Sequence, residues 1–202
     1  MSELENLWRG DFGDDYTERN LQPERGSIRS NVALFGRILA ATDGVQSILE
    51  VGAGAGLNLR AIRELEPLAR LGAVEINRKA AEALVDIDHC TIYNTSALEF
   101  RSPYTWDLVF SKGLLIHIPP QDLDAVYRKL VEASRRYVLV CEYYCPKPRM
   151  IPYRGKDNAL WARDFAGEMM AQHPLRLVDY GFVYHKDPNP QDDVTWFLME
   201  KR

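Results

Sequence analysis

The chain has 202 residues, which is long enough for one domain with a sizeable hydrophobic core. Its formal net charge is −4 at pH 7 and no basic stripe stands out, so nucleic acid is disfavoured as a partner. No apolar run approaches the length of a membrane span, and the first residues contain no apolar core of a signal peptide. We therefore expect a cytoplasmic protein, monomeric or homodimeric, whose partner is a small molecule rather than nucleic acid or a membrane.

The three cysteines do not have the spacing of a disulfide framework or of a zinc site. Cys141 and Cys145 form a lone C-x-x-x-C pair, and Cys90 stands far from them in the sequence. We expect all three to be small buried hydrophobic residues, and we expect no bound metal.

Strands alternate with helices over the first two thirds of the chain. Five apolar runs predict strands, at residues 45–51, 71–76, 90–93, 106–111 and 137–143. Helical patterns lie between several of these runs, at residues 57–68, 79–85 and 121–133. Such alternation is typical of a parallel sheet that helices cover on both faces.

The last third of the chain has a different pattern. Residues 159–173 predict a helix, and Pro174 follows its end. Residues 175–185 and 194–201 predict the two strands of an antiparallel hairpin around a polar loop. Residues 145–174 follow the carboxyl end of the fifth strand, so we expect them to pass over the substrate side of the site. We expect a three-layer, Rossmann-like α/β fold with a mostly parallel seven-stranded sheet that ends in the hairpin.

An aromatic stripe precedes the first predicted strand. Trp8, Phe12 and Tyr16 recur every four residues, which is the spacing of one face of a helix. Two interpretations remain open: the stripe packs on the hydrophobic core, or residues 1–30 form a lid that closes over bound ligands.

A glycine-rich loop follows the first predicted strand, where residues 50–56 read Glu-Val-Gly-Ala-Gly-Ala-Gly. Gly52, Gly54 and Gly56 permit a tight turn and a close approach of the backbone to a ligand, and the helix that follows begins with free N–H groups. Nicotinamide and flavin proteins use the spacing G-x-G-x-x-G. The spacing G-x-G-x-G after Glu50 instead favours S-adenosylmethionine (SAM), which has no pyrophosphate to bind at the helix N-terminus.

The end of the second predicted strand offers groups for the nucleoside of such a cofactor. Glu75 stands at this end, where an acid can accept hydrogen bonds from both ribose hydroxyls. The next residue, Ile76, can cover one face of the adenine. A solvated acid at a strand end is the alternative interpretation of Glu75.

Several blocks of the sequence resemble a known family. They are W-x-G-x-F-G-x-x-Y-x-x-R-N, LEVGAGAGLN, GLLIHIPP, IPYRGKDNALWARDFAGEM, VDYGFV and QDDVTWFLMEK, at residues 8–20, 49–58, 113–120, 151–169, 178–183 and 191–201. Together they resemble the methylases associated with pseudaminic acid biosynthesis, which are class I SAM-dependent methyltransferases. The resemblance implies one methyltransferase domain over residues 1–202, with SAM as cofactor and S-adenosylhomocysteine (SAH) as its product. It also implies methyl transfer to an oxygen or nitrogen of a small polar metabolite, in a sugar or nonulosonic-acid pathway.

The resemblance further implies a set of cofactor contacts. In class I enzymes the loop after the third strand edges the adenine, which assigns that place to Ser96 and Ala97, although many of these enzymes have Asp where Ser96 stands. Backbone carbonyls around Lys112 are expected to take the methionine amino group. Aromatic faces stabilise positive charge near the sulfonium, which makes Tyr16 a candidate. Arg19 is a candidate partner of the methionine carboxylate, with a surface salt bridge as the alternative.

Catalytic candidates are groups able to take a proton, because an oxygen acceptor must lose one whereas a neutral amine need not. His117 lies near the switch point of the predicted sheet, where ligands bind, and its ordinary pKa is close to neutrality. A packed structural histidine is the alternative. Asp164 and Tyr144 are the further catalytic candidates, and His185 is a second histidine able to act as a base.

Substrate contacts are expected from the segments after the fifth strand. Tyr143 and Tyr144 are placed to frame a polar or cationic acceptor, and Tyr153, Arg154 and Lys156 have the chemistry to bind a carboxylate or phosphate. The full set of substrate candidates is Tyr143, Tyr153, Arg154 and His185. Taken singly, each is better explained as a solvated loop residue, and it is their clustering in one segment that favours a substrate site.

Three other functions remain to be weighed against the sugar-pathway enzyme. A methyltransferase acting on the nitrogen of a small amine or guanidine fits the same acids and tyrosines. A SAM-binding sensor or scaffold without catalysis fits the cofactor motifs, because such motifs do not prove turnover. An oxidoreductase that uses a nicotinamide cofactor is disfavoured by the glycine spacing.

Overall fold

The computed structural model describes residues 3–21, 25–155 and 159–202. Its helices are α1 (Glu3–Arg9), α2 (Asp11–Asn20), α3 (Arg25–Ala40), α4 (Leu57–Leu65), α5 (Arg78–Ala83), α6 (Leu123–Ala133) and α7 (Phe165–Gln172). Its strands are β1 (Ser47–Val51), β2 (Arg70–Glu75), β3 (Cys90–Asn94), β4 (Trp106–Lys112), β5 (Ser134–Glu142), β6 (Arg149–Met150), β7 (Trp161–Ala162), β8 (Leu175–Val183) and β9 (Val194–Lys201). Short 3₁₀ turns at Leu115–His117 and Pro120–Asp122 connect β4 to α6.

One sheet of seven strands runs through the molecule in the order β3-β2-β1-β4-β5-β9-β8. The pairs among β1 to β5 are all parallel, and β9 lies antiparallel between β5 and β8. The predicted mostly parallel seven-stranded sheet with a terminal antiparallel hairpin is therefore confirmed. Because β1 to β5 are parallel, their carboxyl ends meet at one edge of the sheet.

Alternate residues of the central strands pack on opposite faces of this sheet. On β4, Leu108 and Phe110 belong to the hydrophobic cluster that includes α3 and α4. Val109 belongs instead to the cluster that includes α6 and α7. Both faces of the sheet are thus covered by helices, which confirms the three-layer arrangement.

The helix α3 is an element that the sequence patterns did not indicate. Its residues Leu34, Phe35 and Ile38 are buried against the sheet and α4. Because α3 begins at Arg25, the last part of the expected lid, residues 1–30, lies in a helix of the outer layer. The remaining described part of that segment forms α1 and α2.

The predicted helix at residues 159–173 is wrong at its beginning. Trp161 pairs with Met150 in the two-stranded ribbon of β6 and β7, so its backbone is extended. The helix begins only at Phe165, because the Asp164 carboxylate accepts a hydrogen bond from the Gly167 N–H at 2.9 Å and caps it there.

Within the described residues, no helix combines the length and the apolar character needed to cross a membrane. The same part of the chain contains no group of three or more His, Cys, Asp or Glu side chains arranged to hold a metal ion. All three cysteines are free thiols, of which Cys141 is buried and Cys90 and Cys145 are partly buried.

Candidate functional site

A cavity of about 300 Å³ lies at the carboxyl edge of the sheet. Its walls come from the segments that follow β1, β2, β3 and β4, and from α1 and α2 on the opposite side. In open parallel sheets this edge is where ligands bind, because the loops there converge at the point where strand order reverses.

The glycine loop after β1 forms one wall of this cavity. Gly52, Gly54 and Gly56 all have left-handed backbones, with φ of 81°, 53° and 82°. A side chain on Gly56 would place Cβ 2.5 Å from a methyl carbon of Leu84, so glycine is required there for the turn into α4. A Cβ on Gly54 would meet no atom within 4 Å and would protrude into open space. The loop is therefore closely packed on its protein side and open towards the cavity.

Glu50 and Asn58 form a buried polar pair at the ends of this loop. The Asn58 amide donates to Glu50 Oε1 at 2.6 Å. Burial raises the pKa of Glu50 to about 8, since the charged carboxylate is desolvated there. The second oxygen of Glu50 and the Asn58 amide oxygen have no hydrogen-bond partner among the described residues. Asn58 lines the cavity, whereas the fully buried Glu50 does not and, with its raised pKa, keeps its proton at pH 7.

Glu75 lines the cavity at the end of β2 and is held by backbone donors. Its Oε2 accepts from the Gly54 N–H at 2.7 Å, and its Oε1 accepts from the Asn77 N–H at 2.8 Å. Burial raises the pKa of the Glu75 carboxyl above its usual range, while the backbone hydrogen bonds oppose that shift. The solvated strand-end alternative does not describe this side chain, which is only 8% exposed. Ile76 lines the same cavity beside it.

The loops after β3 and β4 complete this part of the cavity. Ser96, Ala97 and Lys112, which the sequence predicts to contact a cofactor, all line it. The buried Glu142 carboxylate holds the loop after β4 in place, because it accepts from the Ser111 hydroxyl and from the backbone N–H of Leu115. Burial raises the pKa of Glu142 to about 7.

The aromatic stripe lies over the cavity. Trp8 and Tyr16 line it, and the Trp8 ring lies 5.2 Å from Phe12, 5.4 Å from Tyr16 and 4.8 Å from the His117 ring, measured between centroids. The stripe therefore packs on the ligand side of the molecule rather than on the hydrophobic core, which is the position expected of a lid. Burial raises the pKa of the Tyr16 hydroxyl above its usual range.

Asn77 fastens the stripe to the body of the protein. Its side-chain amide donates to the Asp14 carboxylate at 2.7 Å and to the Trp8 carbonyl at 3.2 Å. Its amide oxygen accepts from the Ala80 N–H at 2.8 Å and from the Thr17 hydroxyl at 3.4 Å. A single cavity residue thus caps α5 and holds α1 and α2.

His117 lines the cavity between the stripe and the segment after β5. Its Nδ1 lies 2.8 Å from the Ala159 carbonyl oxygen, which assigns the ring proton to Nδ1 and leaves Nε2 as an acceptor. Nε2 has no hydrogen-bond partner among the described residues. Burial lowers the pKa of His117 to about 4, so the imidazole is neutral at pH 7. Its ring lies 5.0 Å from the Tyr153 ring.

The tyrosines after β5 line a second, shallower hollow beside the main cavity. Tyr143 donates a hydrogen bond to the Asp192 carboxylate, and burial raises the pKa of its hydroxyl. Tyr144 is 44% exposed in the same hollow. Neither tyrosine lines the main cavity.

Asp164, Arg19 and His185 also lie outside the lining of the main cavity, as do Glu50 and Gly56. Asp164 serves as the cap of α7, and Arg19 places its guanidinium 5.9 Å from the Tyr16 ring on the outer side of α2. His185 Nδ1 pairs with the Asp193 carboxylate at 2.8 Å in the hairpin loop. The cavity residues do not include any of them.

Tyr153 and Arg154 do not line the cavity, but the Tyr153 ring borders it through its contact with the His117 ring. The Arg154 guanidinium lies 5.7 Å from the Tyr153 ring, and Arg154 has a left-handed backbone with φ of 48°. Tyr153 reaches the aromatic stripe, since its ring lies 6.4 Å from that of Phe12. Lys156, named with them from the sequence, lies outside the described residues.

Sequence reasoning missed several polar residues of the cavity, among them Glu5, Asn31, Asn58 and Asn77. Asn58 stands inside the glycine-loop block, and Asn77 directly follows the acid and the apolar residue predicted for the nucleoside. Asn58 and Asn77 could therefore have been predicted from their positions next to the glycine loop and the end of β2. For Glu5 and Asn31 there was no such signal, because both approach the cavity only through the packing of α1 and α3.

Solved structures with the same fold are numerous, whereas no protein-family model and no curated protein matches the chain. The N1-methyltransferase of 1,6-didemethyltoxoflavin from Burkholderia thailandensis, solved with SAH, has a TM-score of 0.74 at 16% identity and covers 97% of this chain and 88% of its own. Magnesium protoporphyrin IX methyltransferase from Synechocystis PCC 6803, solved with SAM, has a TM-score of 0.70 at 12% identity. The match covers 100% of this chain and 99% of that one. The glycopeptide N-methyltransferase MtfA has a TM-score of 0.69 at 14% identity, and the match covers 88% of this chain and 96% of that one. The chain thus has the Rossmann-like fold that these methyltransferases share.

Proposed function

We propose that this chain is a SAM-dependent methyltransferase that acts on an oxygen or nitrogen of a small polar metabolite. The observation that carries the proposal is the cavity at the carboxyl edge of the sheet. It brings the open side of the glycine loop and Glu75 together with His117 and the aromatic stripe. In the proposed domain, residues 1–30 supply the lid and residues 145–174 supply the substrate side.

The chemistry of the cavity fits SAM. Asn58 and Glu75 line the cavity with side chains that carry acceptor oxygens, and SAM carries an ammonium group and ribose hydroxyls that donate. The Glu75 carboxylate accepts from backbone N–H groups, including those of Gly54 and Asn77, and its two oxygens offer about four acceptor positions, which leaves capacity for a ribose hydroxyl. The space beside Gly54 admits a ligand against the backbone. When bound, SAM supplies a methyl group activated by the positive charge of its sulfur.

The protein contributes position and electrostatics to such a transfer. Trp8 and Tyr16 present aromatic rings to the cavity, and such rings attract positive charge. The loop after β4, which Glu142 holds through backbone N–H groups, keeps Lys112 and Leu114 in the cavity wall. Holding both partners in line converts a bimolecular reaction into a step within one complex.

His117 is the residue best placed to take the proton of an oxygen acceptor. It is neutral at pH 7, and its Nε2 is an available acceptor within the cavity wall. With SAM bound, an oxygen acceptor would exchange its O–H bond for an O–CH3 bond as the sulfur–methyl bond breaks and SAH leaves, and Nε2 would take the proton, which makes His117 an imidazolium. A pKa of about 4 suffices for this purpose, because a hydroxyl becomes strongly acidic once its oxygen is alkylated.

The proposed acceptor is an intermediate of a sugar or nonulosonic-acid pathway, as the sequence resemblance implies. Tyr153 at the cavity border and the neighbouring Arg154 support it, since an aromatic ring and a guanidinium suit a sugar that carries a carboxylate. The runner-up is the nitrogen of a small amine or guanidine, whose cationic form suits the aromatic rings and whose neutral form needs no base for attack. Incubation with methyl-labelled SAM and a panel of nucleotide sugars, sugar acids and amines separates the two.

Ligand binding tests the central claim. We expect SAH to raise the melting temperature and to bind with micromolar-range affinity, about −8 kcal/mol. The absence of binding by both SAM and SAH would contradict the proposed function. Binding together with no methyl transfer to any member of the acceptor panel would instead favour a SAM sensor or scaffold.

A further inference from the structure

Glu5 reaches the cavity from α1, and α1 is remote in sequence from the loops after β1, β2, β3 and β4 that form the proposed cofactor side. It lines the cavity, and its carboxylate accepts a hydrogen bond from the Ser96 hydroxyl. Ser96 is only 2% exposed and stands in the loop after β3. This contact therefore brings a lid carboxylate to the loop that is expected to edge the adenine.

The hydrogen-bond inventory of Ser96 shows what this contact does. A serine hydroxyl has a single proton to donate, and Ser96 donates it to Glu5. The Ser96 oxygen also accepts from the Leu98 N–H at 3.0 Å. Ser96 is thus largely committed within the protein. A carboxylate, by contrast, offers about four acceptor positions on two oxygens, so Glu5 has capacity for a ligand donor as well as for Ser96.

We propose that Glu5 accepts a hydrogen bond from the exocyclic amino group of the cofactor's adenine, and that the bound cofactor thereby helps to hold α1 over the cavity. Because this assignment rests on the proposed function, the cofactor is SAM or SAH. Glu5 supplies from the lid the carboxylate that the loop after β3 lacks, since Ser96 stands at the position where an acid would serve.

The other lid contacts support a specific role for Glu5. The Lys79 ammonium pairs with Glu18 on α2, and this pair lies on the surface outside the cavity lining. Arg9 pairs with Glu99 at 4.0 Å, also between exposed side chains. These surface pairs fasten the lid to the domain without reaching the ligand space. Glu5 is a lid acid that meets the domain inside the cavity.

Binding of two ligands to three proteins tests the assignment. The ligands are SAH and its inosine analogue, in which an oxo group replaces the adenine amino group. The proteins are the wild type, Glu5→Gln, and Glu18→Gln as a matched control that alters a lid carboxylate outside the cavity. Isothermal titration calorimetry gives a dissociation constant for each of the six combinations.

We expect the wild type and Glu18→Gln to bind SAH about tenfold or more tightly than the inosine analogue, because a hydrogen bond to a charged acceptor is lost and an oxo group faces a carboxylate. In Glu5→Gln we expect this preference to fall about tenfold, since the Gln amide donates to an oxo group as readily as its oxygen accepts from an amine. An undiminished preference in Glu5→Gln overturns the assignment. If the wild type binds neither ligand, the proposed function fails and the assignment fails with it.

Hydrogen exchange provides a second measurement that does not depend on catalysis. We expect SAH to slow amide exchange in α1 of the wild type and of Glu18→Gln, and to slow it much less in Glu5→Gln at saturating ligand. Equal protection of α1 in all three proteins contradicts the coupling of the lid to the adenine. Circular dichroism of the apo variants controls for folding.

Discussion

The proposed cofactor side and the proposed acceptor side of the cavity, called below the cofactor side and the acceptor side, are built in different ways. Residues 50–58 and 75–77 form the cofactor side through short loops that directly follow buried strands, and backbone hydrogen bonds such as Gly54 N–H to Glu75 connect them. The acceptor side assembles His117, Tyr153 and the aromatic stripe from segments distant in the sequence, mainly through ring contacts. Adjacent strand ends are held rigidly by the sheet, whereas the aromatic assembly depends on the docking of a lid.

Because the two sides are built differently, changes on each side are expected to affect different properties of the protein. Close hydrogen bonding and left-handed glycines define one backbone shape on the cofactor side, so changes there are expected to affect folding and cofactor affinity together. Ring contacts on the acceptor side tolerate adjustment. Changes there are expected to affect turnover more than stability.

The largest effect is expected at Gly56. Gly56→Ala forces a left-handed alanine and brings its Cβ to 2.5 Å from Leu84 and 2.7 Å from Ile87, so we expect a loss of ~3 kcal/mol in the free energy of unfolding. Urea denaturation measures it. Gly54→Ala is the matched control, since its Cβ meets only open space. That variant should lose no more than about 1–2 kcal/mol of stability but should bind SAH much more weakly. Similar losses of stability in both variants would contradict the packing difference between the two faces of the loop.

On the acceptor side, the substitution His117→Ala is expected to lower kcat on the order of a hundredfold for an oxygen acceptor, with SAH affinity nearly unchanged. Since the pKa of His117 is about 4, kcat should show no fall between pH 7 and pH 5.5 that depends on this residue. Single-turnover kinetics with labelled SAM measures both. Normal turnover in the variant would make His117 a packing residue, and an activity loss centred near pH 6.5 would contradict the low pKa.

The pH dependence of stability gives a further test on the cofactor side, separate from the ranking of the single substitutions. Burial raises the pKa of Glu50 from 4.5 to about 8 in the folded apo protein, so the folded state retains a proton that the unfolded state releases between these values. The free energy of unfolding should therefore decrease as pH rises from 5 to 8, by up to about 1.4 kcal/mol per pH unit from this group. Glu142, whose pKa is raised to about 7, adds to the same slope. In Glu50→Gln the slope should be shallower, and an unchanged slope in urea titrations would remove Glu50 as its source.

The smallest effect is expected at Asp164. As the cap of α7, it should contribute about 1 kcal/mol of stability, so Asp164→Ala should lower the free energy of unfolding by that amount and leave kcat and SAH affinity unchanged. Asp164→Ser, which retains a capping oxygen, should restore most of the stability. A large loss of kcat in both variants would show that Asp164 acts in catalysis as the sequence prediction had it.

Much of the cofactor side was predictable from the sequence because its signals are local. The apolar run of β1, the G-x-G-x-G spacing and the acid that ends β2 each depend on residues within a few positions of one another. The parallel sheet and its antiparallel end followed from the alternation of strands and helices. Predictions failed where local signals were weak, as for α3, and where an extended pair interrupts a helical pattern, as for β7.

By itself, then, the sequence determined the sheet, the glycine loop and the position of Glu75, because backbone conformation and strand order follow from short-range patterns. Only the tertiary structure decided that the aromatic stripe faces a cavity, that Glu5 meets Ser96, and that Asp164 caps a helix instead of joining the site. Those outcomes depend on how α1, α2 and α7 dock on the sheet. Docking is the sum of many small packing and hydrogen-bond energies between residues far apart in the chain, and no single stretch of sequence records that sum.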